Sequence, residues 1–218
     1  GLVAFLFSFN LFNKNPSKID DFLIRTPLAD SSTFRSLTLS NELKVFLEKT
    51  NDGTKDVTLS LGVGVGNQND PKEFPGLFDL ISKALLKGSR NHQGKHPLKD
   101  FVLDNNGELS IKTNEYDTMY TYGIKREHFR KTLDIFVDAL LNPTFDDERV
   151  SKCMEVVKKH LQVEFDQMNV SLFWRFLKAL SNPKSTIFNR GLDIVDVNPE
   201  LIQRLKVLLG KYHKKYYS

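Results

Sequence analysis

Residues 76–89 of this chain read Gly76-Leu77-Phe78-Asp79-Leu80-Ile81-Ser82-Lys83-Ala84-Leu85-Leu86-Lys87-Gly88-Ser89. The apolar side chains of this run recur every three or four residues, which predicts an amphipathic helix that begins at Gly76 and ends before Gly88. Asp79 and Lys83 lie four residues apart, the spacing of an ion pair on one helix face. The run therefore predicts a helix with one apolar face and one internal charged pair.

Strand and helix patterns alternate on both sides of this helix. The periodicity predicts strands over 37–47, 57–65, 109–112 and 118–124, and helices over 127–141, 150–180 and 199–216. Valine and leucine alternate with other residues in the second strand, which indicates one buried face. Gly62, Gly64 and Gly66 fall on its opposite face, where another segment can pack closely. The order of elements predicts an α+β fold, a largely antiparallel sheet covered by helices.

The first 36 residues differ in composition from the rest. They are predicted to be an irregular lead-in, and residues 37–218 to form one domain. The apolar run from Leu2 to Phe12 is too short for a membrane span. It has three interpretations: the remnant of a signal sequence, a buried strand, or a hydrophobic lead-in to the first sheet. The first implies a secreted protein; otherwise the sequence leaves the compartment open, with the cytoplasm as one choice.

Composition excludes several classes of protein. The chain has 218 residues, 40% of them hydrophobic, and a formal net charge of +4 with acidic and basic residues interleaved. This length and composition are sufficient for a core, and no face is dedicated to a polyanion, so nucleic-acid binding is not predicted. Cys153 is the single cysteine. It excludes an internal disulfide and is predicted to be a packed thiol.

The residues that flank the helix suggest its family. Asp70-Pro71 precedes it, Gly76-Leu77 opens it and Lys87-Gly88-Ser89 closes it. This frame resembles the insulinase/pitrilysin family of zinc metallopeptidases, whose pattern is V-G-x-G-x-x-x-D-P-x-x-x-x-G-L-x-H-x-x-E-H-x-x-F-x-G-S. In active members the two histidines bind zinc and the glutamate activates water. The resemblance places Asp79, Ser82 and Lys83 at those three positions, so the zinc motif is degenerate.

The resemblance extends from Leu39 to Ser218. Residues 39–45 are similar to the family's L-x-N-G-L-x-V, with Glu42 where glycine is usual. Residues 106–120 and 142–145 resemble later elements of the family's N-terminal domain, and residues 181–185 and 212–218 resemble elements of its insulin-degrading branch. In the family another strand and further helices follow, so the domain is expected to be incomplete at its C-terminus and the chain to be a fragment or truncated product.

The resemblance also implies a third zinc ligand on the long helix. Laying Met154-Glu155-Val156 on the family's R-E-V places Gln162 at the ligand position and keeps Glu155 as the upstream carboxylate, a candidate to support a metal ligand. Glu164 is two residues further and faces about 200° round the helix from Gln162. With all three ligand positions and the base altered, no bound cofactor is predicted, whereas active relatives carry zinc.

Other catalytic centres receive little support from the sequence. His92 and His96 have a spacing of four residues, but Gly94 and Pro97 predict a loop, where exposed imidazoles are more common than metal ligands. Ser82 has no neighbouring base, and adjacent residues on a helix do not face each other, so Ser82 and Lys83 are not a catalytic pair.

Peptide binding does not depend on the zinc residues. The resemblance implies that the strand Ser110, Ile111, Lys112 and Thr113 is an edge on which an extended peptide adds by main-chain hydrogen bonds. Ser110 and Ile111 replace the usual Asn and Ala there, so backbone pairing is retained while the neighbouring pocket is altered.

Three functional hypotheses follow. The first is a non-catalytic family member that binds extended peptide or assembles with a homologous second half or partner subunit. The alternative is an atypical active zinc metalloendopeptidase that degrades peptides with Asp79, Glu155 and Glu164. The third is a decaying gene product without a retained role.

Overall fold

The computed structural model describes residues 2–8, 33–39, 42–50, 53, 55–71, 74, 76–94, 96–166, 180 and 198–217 of the chain. Their secondary-structure elements are β1 (Leu2–Ser8), β2 (Thr33–Thr38), β3 (Lys44–Lys49), β4 (Asp56–Val63), a 3-10 turn (Asn67–Asn69), α1 (Leu77–Leu85), α2 (Pro97–Asp104), β5 (Glu108–Thr113), β6 (Thr118–Lys125), α3 (Arg126–Leu141), α4 (Asp147–Asp166) and α5 (Pro199–Tyr216).

The strands form one sheet in the order β2-β3-β1-β4-β6-β5. β1 and β4 run parallel, whereas every other neighbouring pair among these strands runs antiparallel. The predicted α+β class with a largely antiparallel sheet is confirmed. β5 is an edge strand of this sheet and pairs with β6 alone among the described strands.

The first strand lies where the sequence predicted an irregular lead-in. In β1, Phe5 lies opposite Phe46 of β3 on one side and opposite Ser60 of β4 on the other. The irregular lead-in is therefore wrong for residues 2–8 and for the start of β2 at Thr33. The physical reason is that a continuous apolar run rich in Leu and Phe suits a central strand. The strand interpretation of the apolar run agrees with this position.

Helix α1 supplies much of the core beneath the sheet. Its predicted apolar face is confirmed, with five buried side chains at Leu77, Leu80, Ile81, Ala84 and Leu85. α1 contacts β5, α4 and α5. Burial of each large aliphatic side chain stabilises the fold by roughly 1.5–3 kcal/mol, so this face fixes the orientation of the polar side of α1.

The start of α1 is held by the aspartate that precedes it. Asp70 accepts hydrogen bonds from the main-chain N–H of Gly76 at 2.6 Å and of Phe78 at 2.9 Å. Gly76 has a φ of 84°, a left-handed conformation that costs a residue with a side chain about 1–2 kcal/mol. The Asp70 and Gly76 elements of the sequence frame thus act together to begin the helix.

Gly66, which follows β4, allows a close approach of another segment, as the sequence predicted. A Cβ atom on Gly66 would lie 2.4 Å from the carbonyl oxygen of Asn114. Asn67 N donates to that same carbonyl at 3.0 Å, and Gln68 N donates to Glu115 O at 2.9 Å. The 3-10 turn is therefore bonded to the hairpin between β5 and β6.

Helix α5 is the last described element and packs against α1 and α4. Asn198 caps its start by accepting from Leu201 N at 2.8 Å. The Phe78 ring packs edge-on against Tyr212 and Tyr216, with centroid distances of 5.6 and 5.4 Å. The predicted helix over 199–216 is confirmed.

Some elements differ from the sequence-based expectations. Helix α2 was not predicted, although Pro97 at its first turn and the buried Leu98 and Val102 are signals for a helix. Val137 was assigned to the apolar face of α3 but is 41% exposed. The long helix predicted over 150–180 is described as α4 up to Asp166, and its continuation, like residues 181–185, lies outside the described residues.

Candidate functional site

Asp79 and Lys83 form the ion pair that their spacing predicts. Lys83 Nζ donates to Asp79 Oδ1 within α1. The side chains keep only 22% and 14% of their surface exposed for Lys83 and Asp79. Because little solvent reaches the pair, water screens the attraction less than at a fully exposed helical pair.

Ser82 is buried between α1 and the edge strand. Its hydroxyl donates to Asp79 O at 2.9 Å and accepts from Thr113 Oγ1 of β5 at 3.0 Å. Its side chain is fully buried. The hydroxyl thus has two hydrogen bonds that fix it, and it links α1 to β5.

Two buried tyrosines lie beside this polar face. Tyr120 and Tyr217 share a hydrogen bond of 3.0 Å between their hydroxyls. Burial and the neighbouring Tyr217 raise the pKa of Tyr120 well above its ordinary value, and Asp79 adds a smaller electrostatic contribution. Burial raises the pKa of Tyr217 to about 12. Both phenols therefore remain neutral at ordinary pH and do not act as bases.

Cys153 lies inside the packing of α4 on α1 and is buried, as predicted. Burial raises the pKa of its thiol to about 11, although the positive charges of Lys87 and Lys83 act in the opposite direction. The thiol is consequently protonated and is a packing group rather than a nucleophile.

The predicted third-ligand region lies on α4. Glu155 is exposed. Gln162 and Glu164 lie within the α4 range, and the third-ligand position stays a prediction. Within the described ranges, no three or more His, Cys, Asp or Glu side chains group closely enough to hold a metal ion.

The predicted peptide edge is the side of β5 that pairs with no other described strand. Ser110 and Lys112 are exposed, whereas Ile111 and Thr113 are half-buried on the face that packs against the helices. Tyr120 and Thr118 lie opposite Ile111 and Thr113 in β6. The four predicted residues are thus one continuous segment of an edge strand, joined to α1 through Thr113.

The two histidines of the predicted loop, His92 and His96, make separate contacts with other parts of the fold. His92 and His96 lie outside the helices, as predicted, and they contact different partners: His92 Nδ1 lies 3.0 Å from Asp138 Oδ2, and His96 Nε2 lies 3.4 Å from Lys87 Nζ. The two imidazoles do not bind a common centre.

Asp138 of α3 is the centre of a polar cluster that was not predicted from the sequence. Its carboxylate is bonded to Ser89 Oγ, Asn91 N and Nδ2, His92 Nδ1 and Asn142 Nδ2. Burial acts to raise the pKa of this carboxyl, but the hydrogen bonds outweigh burial and hold the pKa well below its ordinary value. The sequence did contain a signal for this cluster. Asp138 lies beside the apolar face of a predicted helix, and a carboxylate in that position needs hydrogen-bond donors inside the fold. The cluster anchors the loop after α1 to the end of α3.

Comparison with known proteins agrees with this fold. Residues 44–182 match the family model described as Insulinase (Peptidase family M16). The chain therefore belongs to the insulinase family of peptidases. It is 26% identical over 222 residues to insulin-degrading enzyme of Mus musculus and 27% identical over 209 residues to A-factor-processing enzyme of Saccharomyces cerevisiae.

These matches cover most of this chain but little of the relatives. The alignment with the mouse enzyme covers 94% of this chain and 20% of that protein, and the yeast alignment covers 91% and 19%. A crystal structure of pitrilysin superposes with a TM-score of 0.77 at 20% identity, over 94% of this chain and 22% of that one. The chain spans about a fifth of the length of its curated relatives.

The described helices include no candidate membrane span, because none combines sufficient length with sufficient apolar character.

Proposed function

We propose that this chain is a non-catalytic member of the insulinase family that binds extended peptide and assembles with a homologous partner half. The ion pair between Lys83 and Asp79 carries the proposal. By the family pattern these two residues stand where zinc ligands are found, and one of them is a cation.

The side chains at these positions do not suit a zinc ion. Zinc prefers nitrogen, thiolate or carboxylate ligands, whereas the Lys83 ammonium repels a dication. Asp79 is a possible ligand, but its carboxylate is engaged by Lys83 on the same helix. Ser82 is bonded to Asp79 O and Thr113, and a serine hydroxyl does not accept a proton from water at neutral pH.

The main chain of β5 supports the binding part of the proposal. β-strand addition uses N–H and C=O groups, which substitution of the zinc residues leaves in place. β5 pairs with β6 on one side, and no strand of the described sheet pairs with it on the other. Degenerate side chains on α1 are therefore compatible with retained peptide capture.

The assembly part rests on length. Relatives that match this chain are about five times as long, as the 20% coverage of the mouse enzyme indicates. A homologous half, on the same polypeptide or on another, would complete such an arrangement and supply any zinc chemistry.

Metal analysis and a peptidase assay test the non-catalytic assignment. The purified 218-residue chain is incubated with zinc, desalted and analysed by mass spectrometry, while a quenched fluorescent peptide reports hydrolysis. We expect well under one zinc per chain and no zinc-dependent cleavage. Stoichiometric zinc that is lost in Asp79→Ala but kept in Asp104→Ala, which changes an exposed aspartate of α2, would instead establish the atypical zinc metalloendopeptidase.

Peptide binding is tested separately by fluorescence anisotropy with an extended, labelled peptide. A matched peptide with alternate N-methylated amides cannot form the strand ladder, so it should lose binding. Equal binding of the two peptides would exclude β-strand addition. Copurification with a homologous zinc-bearing subunit, identified by its peptides, would support the assembly role over a product without function.

A further inference from the structure

The open edge of β5 has a defined main-chain pattern. Asn114 N donates to Asp117 O at 2.8 Å, so residues 114 and 117 are a hydrogen-bonded pair of the hairpin. Such pairs alternate along an antiparallel ladder, which makes Lys112, Ser110 and Glu108 the next residues bonded to β6. The N–H and C=O groups of Leu109, Ile111 and Thr113 therefore point to the open edge.

The side chains of β5 divide into two different faces. Leu109 and Ile111 pack partly against the core, on the side that carries the helices. Glu108, Ser110 and Lys112 are exposed on the opposite face. Glu108 and Lys112 have no hydrogen bond or ion pair with other described side chains. A negative and a positive charge thus stand at the two ends of this face with a small polar residue between them.

The alternation places these charges where an added strand approaches most closely. Residues that are hydrogen-bonded to β6 form non-hydrogen-bonded pairs with a strand on the other edge. In such antiparallel pairs the Cα atoms are only about 4.5 Å apart, and opposite charges directly across from each other attract. Glu108 and Lys112 are both at positions of this kind.

We infer that the β5 edge selects antiparallel peptides with an acidic residue four positions before a basic residue. This inference rests on the proposed peptide binding and assigns its specificity. In the antiparallel orientation the peptide meets Lys112 first and Glu108 last, so the acidic residue pairs with Lys112 and the basic residue with Glu108. A small residue fits opposite Ser110, and apolar residues opposite Ile111 and Leu109 extend the half-buried face.

The 3-10 turn is bonded to the hairpin just beyond the end of β5. Its main-chain N–H groups are bonded to the carbonyls of Asn114 and Glu115, immediately after Thr113. β5 ends at Thr113, so in the antiparallel orientation the charge opposite Lys112 lies near the N-terminal end of the bound peptide.

Two labelled peptides of identical composition test the inference by their binding to the 218-residue chain. One is acetyl-Thr-Asp-Val-Ser-Val-Lys-Thr-amide, and the other has Asp and Lys exchanged. We expect the first to bind about tenfold more tightly at low salt, equivalent to about 1.4 kcal/mol, with the ratio falling towards one at high salt. The double variant Glu108→Lys with Lys112→Glu should reverse the preference. Both substitutions are at exposed positions, and circular dichroism checks that the variant is folded.

The outcomes separate the two proposals. Equal binding of both peptides, or a preference that the double variant leaves unchanged, overturns the charge selection while peptide binding stands. Tighter binding of the exchanged peptide overturns the antiparallel polarity. Absence of binding by either peptide at millimolar concentration overturns the peptide-binding function and the specificity with it.

Discussion

Thr113 on the edge strand donates a hydrogen bond of 3.0 Å to Ser82 on α1. The bond joins the two features on which the proposed function depends, the edge strand β5 and helix α1, whose Asp79, Ser82 and Lys83 are predicted to stand at the zinc-motif positions of the family. Ser82 is fully buried and also donates to Asp79 O. Ser82, which is predicted to stand at the position of the family's catalytic base, therefore holds the edge strand against helix α1.

Ser82→Ala should destabilise the chain by about 1 kcal/mol, because Thr113 loses a buried acceptor. Thr113→Val removes the donor with nearly the same shape and should cost a similar amount. Urea unfolding of the two variants and their combination measures the coupling. If the loss in the double variant equals the sum of the two single losses, the hydrogen bond makes no contribution to stability.

The ion pair of α1 can be measured in the same way. Asp79→Asn and Lys83→Met each break the pair, and we expect a coupling energy of about 0.5–1 kcal/mol, at or above that of exposed helical pairs, because both side chains are largely shielded. The control is Glu148→Gln with Lys152→Met, an exposed pair of the same spacing on α4. A coupling at α1 no larger than at α4 would contradict a special structural role for Asp79 and Lys83.

Asp138 should make the fold sensitive to acid. Its pKa in the folded chain lies below the ordinary value of 3.8, so the folded state binds its proton less readily than the unfolded state. The stabilisation is complete well above pH 3.8 and is lost as the pH falls below that value. Asp138→Asn should lower the free energy of unfolding at pH 7 by about 2–3 kcal/mol and flatten its dependence on acid.

Urea midpoints at pH 7, 4 and 3 measure this dependence. Asp104→Asn, at an exposed aspartate of α2, serves as the control and should follow the parent chain. If the parent chain and the Asp138→Asn variant lose the same amount of stability between pH 5 and 3, Asp138 is not the source of the acid sensitivity.

Glu42 is a position where the present residue is unfavourable. It adopts a φ of 65° and lies in a turn in which Glu42 N donates to Leu39 O at 2.9 Å. A left-handed conformation penalises a residue with a Cβ, and the family pattern has glycine here. Glu42→Gly should raise the free energy of unfolding by about 0.5–1 kcal/mol. Glu42→Ala keeps the Cβ and should give no gain; an equal gain from both would point to charge instead of backbone conformation.

Local periodicity explains which parts of the fold could be predicted. The apolar face of α1, the helix over 199–216 and the strands around β5 and β6 follow from spacing in the sequence alone. Helix α2 was missed because it has only eight residues and is flanked on both sides by segments rich in Gly and Asn, which are typical of loops. Val137 was placed on the wrong face because the neighbours of a helix, and not its periodicity, set the width of its buried surface.

The contacts of the candidate site also fall into two groups, those that the sequence predicts and those that it does not. The four-residue spacing of Asp79 and Lys83 was sufficient to predict their ion pair, because both residues lie on one helix. The link from Ser82 to Thr113 spans 31 residues and that from Ser89 to Asp138 spans 49. Neither has a local signal, since side chains so far apart in sequence meet only after the helices pack on the sheet.

By itself, the sequence determined the family, the helical frame around residues 76–89 and the charged pair inside it, because these depend on residue type and short spacing. Only the tertiary structure decided that Leu2–Ser8 is a central strand, that Asp138 anchors the loop after α1, and that Glu108 and Lys112 lie on the exposed face of β5. The physical reason is that strand order, register and buried polar contacts arise from long-range pairing, which no periodicity within a single element specifies.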